Sequence, residues 1–170
     1  MGFFSRLMGG SDEQKTVTSE FEILAPVSGE LVHLEKTNDP AFSSRAVGDG
    51  VAVVPAEETV CAPVSGTVAA LFPTEHALGI MSDDSSAQVM LHIGIDTVKL
   101  EGKGFHALVA QGDHVDAGQP LVEVDFDAVR AAGFDPTVFV IVCERSENST
   151  LREHASGPVA VKEPVVWLSE

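Results

Sequence analysis

Basic residues are scarce in this sequence. Ten Lys and Arg stand against 26 Asp and Glu among 170 residues, a formal charge of −16. A nucleic-acid partner needs clustered cations to neutralise phosphates, so no nucleic-acid function is expected. The same negative excess favours a soluble monomer and fast docking to a basic protein partner. Cysteine is nearly absent, with only Cys61 and Cys143. They form no Cys-x-x-Cys, which excludes a structural cysteine zinc site, and their apolar neighbours predict two free, buried thiols. No apolar run approaches the roughly 20 residues that cross a bilayer. Residues 1–10 lack the long apolar core and small-residue cleavage site of a secretion signal. The expectation is a cytoplasmic chain.

What is present divides the chain in two. Residues 1–20 carry Phe3, Phe4, Leu7 and Met8 on one helical face, then Gly9-Gly10 and a polar stretch. They read either as a short amphipathic helix able to make a weak membrane-surface contact or as a disordered tail. A myristoylation signal is not met, because Arg6 stands where Ser or Thr is needed. Residues 21–170 read as one domain, with 44% apolar residues to form its core.

Within that domain, short apolar runs alternate with period 2 between Gly, Pro, Asp and Asn. Strands are predicted at Glu22–Leu24, Glu30–His33, Val51–Val54, Thr67–Phe72, Gly79–Met81, Gln88–Ile93, Gly104–Leu108, Leu121–Val124, Val138–Val142, Val159–Val161 and Val165–Trp167. The one predicted helix is Asp127–Ala132, capped by Asp125 or Asp127 and stopped by Gly133. The fold class is therefore all-β, an antiparallel sandwich or barrel with very little helix. Ala25-Pro26-Val27-Ser28-Gly29 recurs as Ala62-Pro63-Val64-Ser65-Gly66, each leading into an alternating strand. Two related hairpin units packed together would bury a shared apolar face. The turn Gly112–Leu121 looks like a biotinyl or lipoyl carrier hairpin, but no lysine sits in a Met-Lys-Met context, so a swinging-arm carrier is rejected.

Of six histidines, His33, His106, His114 and His154 sit among polar residues and read as solvated surface groups. His76 lies in a turn between apolar strands, and His92 lies mid-strand in Val89-Met90-Leu91-His92-Ile93. A lone histidine on an apolar strand is more often a satisfied core residue than a catalyst. In a meander, however, the strand after a turn commonly pairs near that turn, so the two imidazoles could converge. A convergent pair suits metal binding, with Asp96 as a further ligand, or phosphoryl transfer through a phosphohistidine. In the second case His76 would donate to the phosphoryl oxygens, Thr74 would orient His76, and an apolar apron would exclude water. Zinc endopeptidase chemistry on a related duplicated barrel needs a His-x-His pair, which is missing.

The run Leu91-His92-Ile93-Gly94-Ile95-Asp96-Thr97-Val98 resembles the phosphorylation signature of glucose-type enzyme IIA of the bacterial phosphoenolpyruvate:sugar phosphotransferase system. That family usually has Phe where Ile93 stands. The resemblance continues through Ala25–Glu30, Val47–Ala52, Ala62–Thr67, Thr74–Ala77, Lys103–Phe105 and Gly157–Val159, covering roughly residues 21–168. The Met1-Gly2-Phe3-Phe4 start is also similar to free-standing members, whose N-terminal segment can become helical on anionic lipid. The resemblance implies the duplicated hybrid-motif, or barrel-sandwich, form of the fold. It implies that His92 accepts a phosphoryl group from phospho-HPr and passes it to a cysteine of a permease IIB domain. His76 would stabilise the group, with Thr74, Gly94 and Asp96 in support. Phe42, Val47, Phe72, Leu78, Met90 and Val98 would form the docking face. No cofactor is required, although His76 and His92 could hold zinc at a partner interface. Regulatory target proteins would bind the unphosphorylated form. The alternative is a regulatory partner-binding module of the same fold without turnover.

Overall fold

The computed structural model describes residues 19–170. The N-terminal reading of Phe3, Phe4, Leu7 and Met8 lies outside the described residues. Fourteen strands are described: β1 (Phe21–Leu24), β2 (Gly29–His33), β3 (Asp49–Pro55), β4 (Thr59–Cys61), β5 (Gly66–Leu71), β6 (Ala77–Ser82), β7 (Ala87–Ile93), β8 (Phe105–Ala107), β9 (His114–Val115), β10 (Pro120–Val124), β11 (Val138–Arg145), β12 (Thr150–Glu153), β13 (Gly157–Val159) and β14 (Pro164–Ser169). The helices are α1 (Pro40–Ser43) and α2 (Phe126–Ala131). Every strand pair is antiparallel.

The strands form one eight-stranded sheet, ordered β13-β2-β3-β11-β7-β6-β5-β9, and two three-stranded sheets, β1-β14-β12 and β4-β10-β8. The order is a palindrome. Matching β1–β3 to β4–β6 and β7–β10 to β11–β14 converts the large sheet into its own reverse and exchanges the small sheets. The fold is thus a duplicated, barrel-sandwich arrangement. The repeated five-residue motif marks the crossing of its halves. Leu24 N–H donates to the Pro63 carbonyl at 2.9 Å, and Cys61 N–H donates to the Pro26 carbonyl at 2.7 Å. Each motif glycine lies where a Cβ would overlap a backbone oxygen, that of Val54 for Gly29 and of Met81 for Gly66. Close pairing of β2 with β3 and of β5 with β6 therefore demands glycine at both positions.

Strand alternation assigns two faces to the large sheet. Val89, Leu91 and Ile93 of β7 point inward and are fully buried with Leu31, Val53, Val68, Ile80 and Val140. Met90 and His92 point outward. Phe139 and Ile141 of β11 share that outer face but are buried there, because Leu34 and Phe42 cover them in a second apolar cluster. Helix α1, which supplies Phe42, is not in the predicted set. Its signal was the pair Asp39-Pro40. The Asp39 carboxylate accepts the Ala41 N–H at 2.9 Å as N-cap, and Pro40 takes the first turn.

Several boundaries differ from expectation. Strands β4, β9 and β12 escape a pattern reading, being only two to four residues long. The predicted strand at Val159–Val161 ends at Val159, because residues 160–163 turn sharply with Lys162 in the left-handed region (φ 72°). Asp125, not Asp127, caps α2. Cys61 is buried, but Cys143 is only half-buried. His33 and His154 are partly covered rather than fully solvated, with Nδ1 of His33 3.2 Å from Glu153.

Candidate active site: two imidazoles on the outer sheet face

The site is built where β6 and β7 pair. Ala77 lies opposite His92 in the register, and Ile93 N–H donates to the His76 carbonyl at 2.7 Å. His76 is the last residue of the tight turn before β6, so pairing next to that turn carries its ring to the ring of His92. The ring centroids are 5.1 Å apart and nearly perpendicular, at 85°. Across the neighbouring strand, Phe139 is the register partner of His92. Phe42 stacks on Phe139 at 4.3 Å and tilts against His92 at 5.1 Å, while Phe72 lies 5.5 Å from His76. The imidazoles therefore sit in an aromatic surround on the outer sheet face.

Each ring is held by a different kind of bond. The Gly94 carbonyl lies 2.8 Å from His92 Nδ1, and a carbonyl only accepts, so Nδ1 carries a proton and donates it. In the neutral ring Nε2 is then an unprotonated nucleophile. The segment after His92 is shaped to present that carbonyl. Gly94 has φ 79°, and a Cβ there would overlap the Thr97 methyl. Gly94 N–H donates to Thr137 and Ile95 N–H to Asp135, while the Thr97 hydroxyl donates to the Ile93 carbonyl. His76 Nδ1 lies 2.6 Å from Thr74 Oγ1. When the hydroxyl donates, neutral His76 carries its proton on Nε2. One ring then offers a lone pair and its neighbour a donor.

Burial pushes both rings below the ordinary histidine range. For His92 desolvation outweighs the Gly94 carbonyl bond and the nearby Asp39 and Asp96 carboxylates, all of which favour the imidazolium. For His76 desolvation dominates and the neighbouring His92 adds to it. The two differ in access: His76 is only 4% exposed, whereas His92 is half-buried and faces outward. Of the two rings, His92 is therefore the one more open to solvent.

Not every predicted site residue lies on this surface. Val47, Phe72 and Val98 are exposed, and Met90 is half-buried beside His92 on β7. Leu78 is a correction. It follows Ala77, so alternation turns it to the inner face opposite Leu91, where it is fully buried. Phe42 is also a correction as a docking side chain: at 5% exposure it is packed against His92 and Phe139. Asp96 is exposed, with φ 61°, and does not complete a metal site. No group of three or more His, Cys, Asp or Glu among the described residues is arranged to hold a metal ion. Sequence reasoning missed Asp39, which acts on His92 beside Asp96.

Comparisons with known proteins agree with this fold. The family described as phosphoenolpyruvate-dependent sugar phosphotransferase system, EIIA 1, matches residues 21–148. The glucose-specific EIICBA component of Streptococcus pneumoniae is 42% identical over 85% of this chain and 20% of its own length. The beta-glucoside-specific EIIBCA component of Bacillus subtilis is 39% identical over 99% of this chain and 28% of its own. The chain thus spans between a fifth and three-tenths of the length of these curated relatives. Among solved structures, the glucose permease IIA of Mycoplasma capricolum superimposes with a TM-score of 0.80 and 34% identity, covering 87% of this chain and 95% of that one. With fold, motifs and family match in agreement, the chain belongs to the EIIA 1 family of the phosphoenolpyruvate-dependent sugar phosphotransferase system.

Proposed function

We propose that this chain relays a phosphoryl group between two protein partners through His92. The carrying observation is the pair of differently held imidazoles, His92 with Nδ1 on the Gly94 carbonyl and His76 with Nδ1 on Thr74. The lone pair of His92 Nε2 attacks the phosphorus of a donor phosphohistidine. The donor's P–N bond breaks, and its electron pair returns to the donor ring. His76 Nε2–H donates to a phosphoryl oxygen, which matters because charge spreads over these oxygens in the transition state. The aromatic surround keeps water from the P–N bond. In the forward step a thiolate attacks phosphorus, and the bonding pair returns to His92 Nε2.

HPr is the donor in this reading and a permease IIB domain is the acceptor. The relatives' names, which join A, B and C components in one chain, support a IIB acceptor. The charge of −16 steers a basic-faced donor. Phosphorylation adds about −1.5 to −2 charges at the centre of the face, which would separate partners of the two states and leave regulatory targets to the unphosphorylated form. Zinc at such an interface would need the partner's ligands beside His76 and His92. The setting is the cytoplasmic side of the membrane, with the segment around Phe3, Phe4, Leu7 and Met8 touching anionic lipid. Incubation with phosphoenolpyruvate, enzyme I and HPr should add one acid-labile, base-stable phosphate. His92→Gln should abolish the label, and a label that persists would overturn the assignment. His76→Gln should keep acceptance and block delivery to IIB; normal sugar phosphorylation by that variant would remove its role.

A further inference from the structure

One side chain beside the site has a contact that the relay leaves unused. Glu75 lies between Thr74 and His76 with φ 60°, a left-handed conformation that suits Gly or Asn and disfavours glutamate. Its own N–H donates to the Phe72 carbonyl at 2.8 Å, closing the turn. Its carboxylate reaches out of the turn. Oε2 accepts the N–H of Ala107 at 2.9 Å, from β8 at the outer edge of the β4-β10-β8 sheet. This bond crosses 32 residues of sequence and ties the turn of one sheet to the edge of another.

The bond between Thr74 and His76 spans Glu75, so the left-handed kink at Glu75 sets where Oγ1 meets Nδ1. On the far side Ile93 N–H holds the His76 carbonyl. The backbone of His76 is thus fixed after the ring but depends on Glu75 before it. We propose that Glu75 is a positioning residue: its tether to Ala107 maintains the kink, the kink maintains the bond between Thr74 and His76, and that bond keeps the proton of His76 on Nε2, facing the phosphoryl group on His92. This inference rests on the phosphoryl-transfer reading.

The test compares Glu75→Ala, Glu75→Gln and Glu75→Gly in the full chain. Phosphoryl delivery to a IIB domain should fall about tenfold in kcat for Glu75→Ala, with KM unchanged, the size expected when one oriented donor is misplaced. Glu75→Gln retains an acceptor oxygen and should stay within about twofold of wild type. Glu75→Gly accepts the kink freely but loses the tether and should stay impaired. Imidazole 15N spectra give a readout independent of turnover. In Glu75→Ala and Glu75→Gly the His76 nitrogens should move towards a mixed tautomer, while the Nδ1–H signal of His92 stays in place. Unmoved His76 nitrogens in both variants would overturn the proposal. So would a Gln variant as poor as the Ala variant, which would make Glu75 a surface charge rather than a tether. If wild-type protein takes no phosphate on His92, the relay reading fails, and the nitrogen spectra still decide the tether by themselves.

Discussion

The connections that follow the two Ala-Pro-Val-Ser-Gly motifs leave the scaffold at matching places and end differently. After Gly29, β2 joins β3 through residues 34–48, a long excursion that contains α1 and Phe42. After Gly66, β5 joins the matching β6 through residues 72–76 only, a tight turn that ends on His76. Phe42 and His76 approach the same ring, His92, each at a centroid distance of 5.1 Å. The strands and motif turns are held to a common pattern because each half needs the other's backbone. Ser28 Oγ accepts the Val161 N–H and Ser65 Oγ accepts the Ala117 N–H, both at 2.8 Å. The connections escape that constraint because they face outward. Duplication built the platform, and divergence of one pair of loops placed Phe42 and His76 around the strand residue His92.

The comparison is most easily broken at the motif glycines. Gly29→Ala and Gly66→Ala each push a methyl group into a backbone oxygen that belongs to a paired strand, with no flexible side chain to yield. Each should cost about 3 kcal/mol or more, roughly 6–12 °C in Tm for a chain of this size. The two losses should be similar. Thermal unfolding that shows one variant near wild type would mean that the β2–β3 and β5–β6 pairings are not equivalent.

The equivalence of the two halves was only half legible in the sequence. The five-residue motif is visible because Pro fixes φ and Gly permits close approach, so both copies kept both residues. A second repeat is plain in the structure and faint in the letters, where only Val115, Pro120 and Val122 recur as Val159, Pro164 and Val166. Ala25 N–H donates to the Glu163 carbonyl and Ala62 N–H to that of Gln119, while Lys162 N–H and Gly118 N–H return bonds to the Ala25 and Ala62 carbonyls. Glu163 Oε2 and Gln119 Oε1 accept the N–H of Ala160 and of Asp116. These turns need one left-handed residue and one side-chain oxygen, which Gly-Gln and Lys-Glu supply equally well, so the residue types drifted. His92 and its Gly94 loop were readable because the close contact of Gly94 with Thr97 restricts both positions. The Glu75 tether was not, because a bond to the edge strand β8 leaves no local pattern. The buried position of Leu78 could have been found by counting alternation from His92 through the paired strand.

Proton uptake gives a smaller effect that sharpens the contrast between platform and loops. His76 and His92 titrate below their unfolded range, so each stays neutral in the folded protein while the unfolded chain begins to protonate near pH 6.5. More protons on the unfolded state mean that stability falls as pH drops below that point, until the folded pKa values are passed. His114 has the opposite sign, because Asp83 raises it, but it is common to both proteins compared. The variant carrying His76→Gln and His92→Gln should therefore lose less Tm between pH 7.5 and 5.5 than wild type. Equal losses would mean that the two imidazoles are hydrated and that the outer-face cluster is no drier than the rest of the surface.

The smallest expected effect tests whether the two hidden turns touch. A Cβ on Gly118 would lie 3.1 Å from Cδ and Cε of Lys162, so the stem of one turn's left-handed residue covers the other turn's glycine. Gly118→Ala, at φ 86°, should cost about 1–2 kcal/mol from backbone conformation and crowding together. Lys162→Gly should change stability by less than about 1 kcal/mol, because relief of the left-handed backbone is offset by a freer unfolded chain and the lost stem packing. In the double variant the stem is gone and the methyl group has room, so the crowding part of the Gly118→Ala loss should disappear and only its conformational part remain. The cycle should then show a coupling of about 0.5 kcal/mol or more, as neighbours in contact do. Strict additivity would place the turns apart in solution, leaving the Leu24–Pro63 and Cys61–Pro26 bonds and the β7–β11 pairing to join the halves.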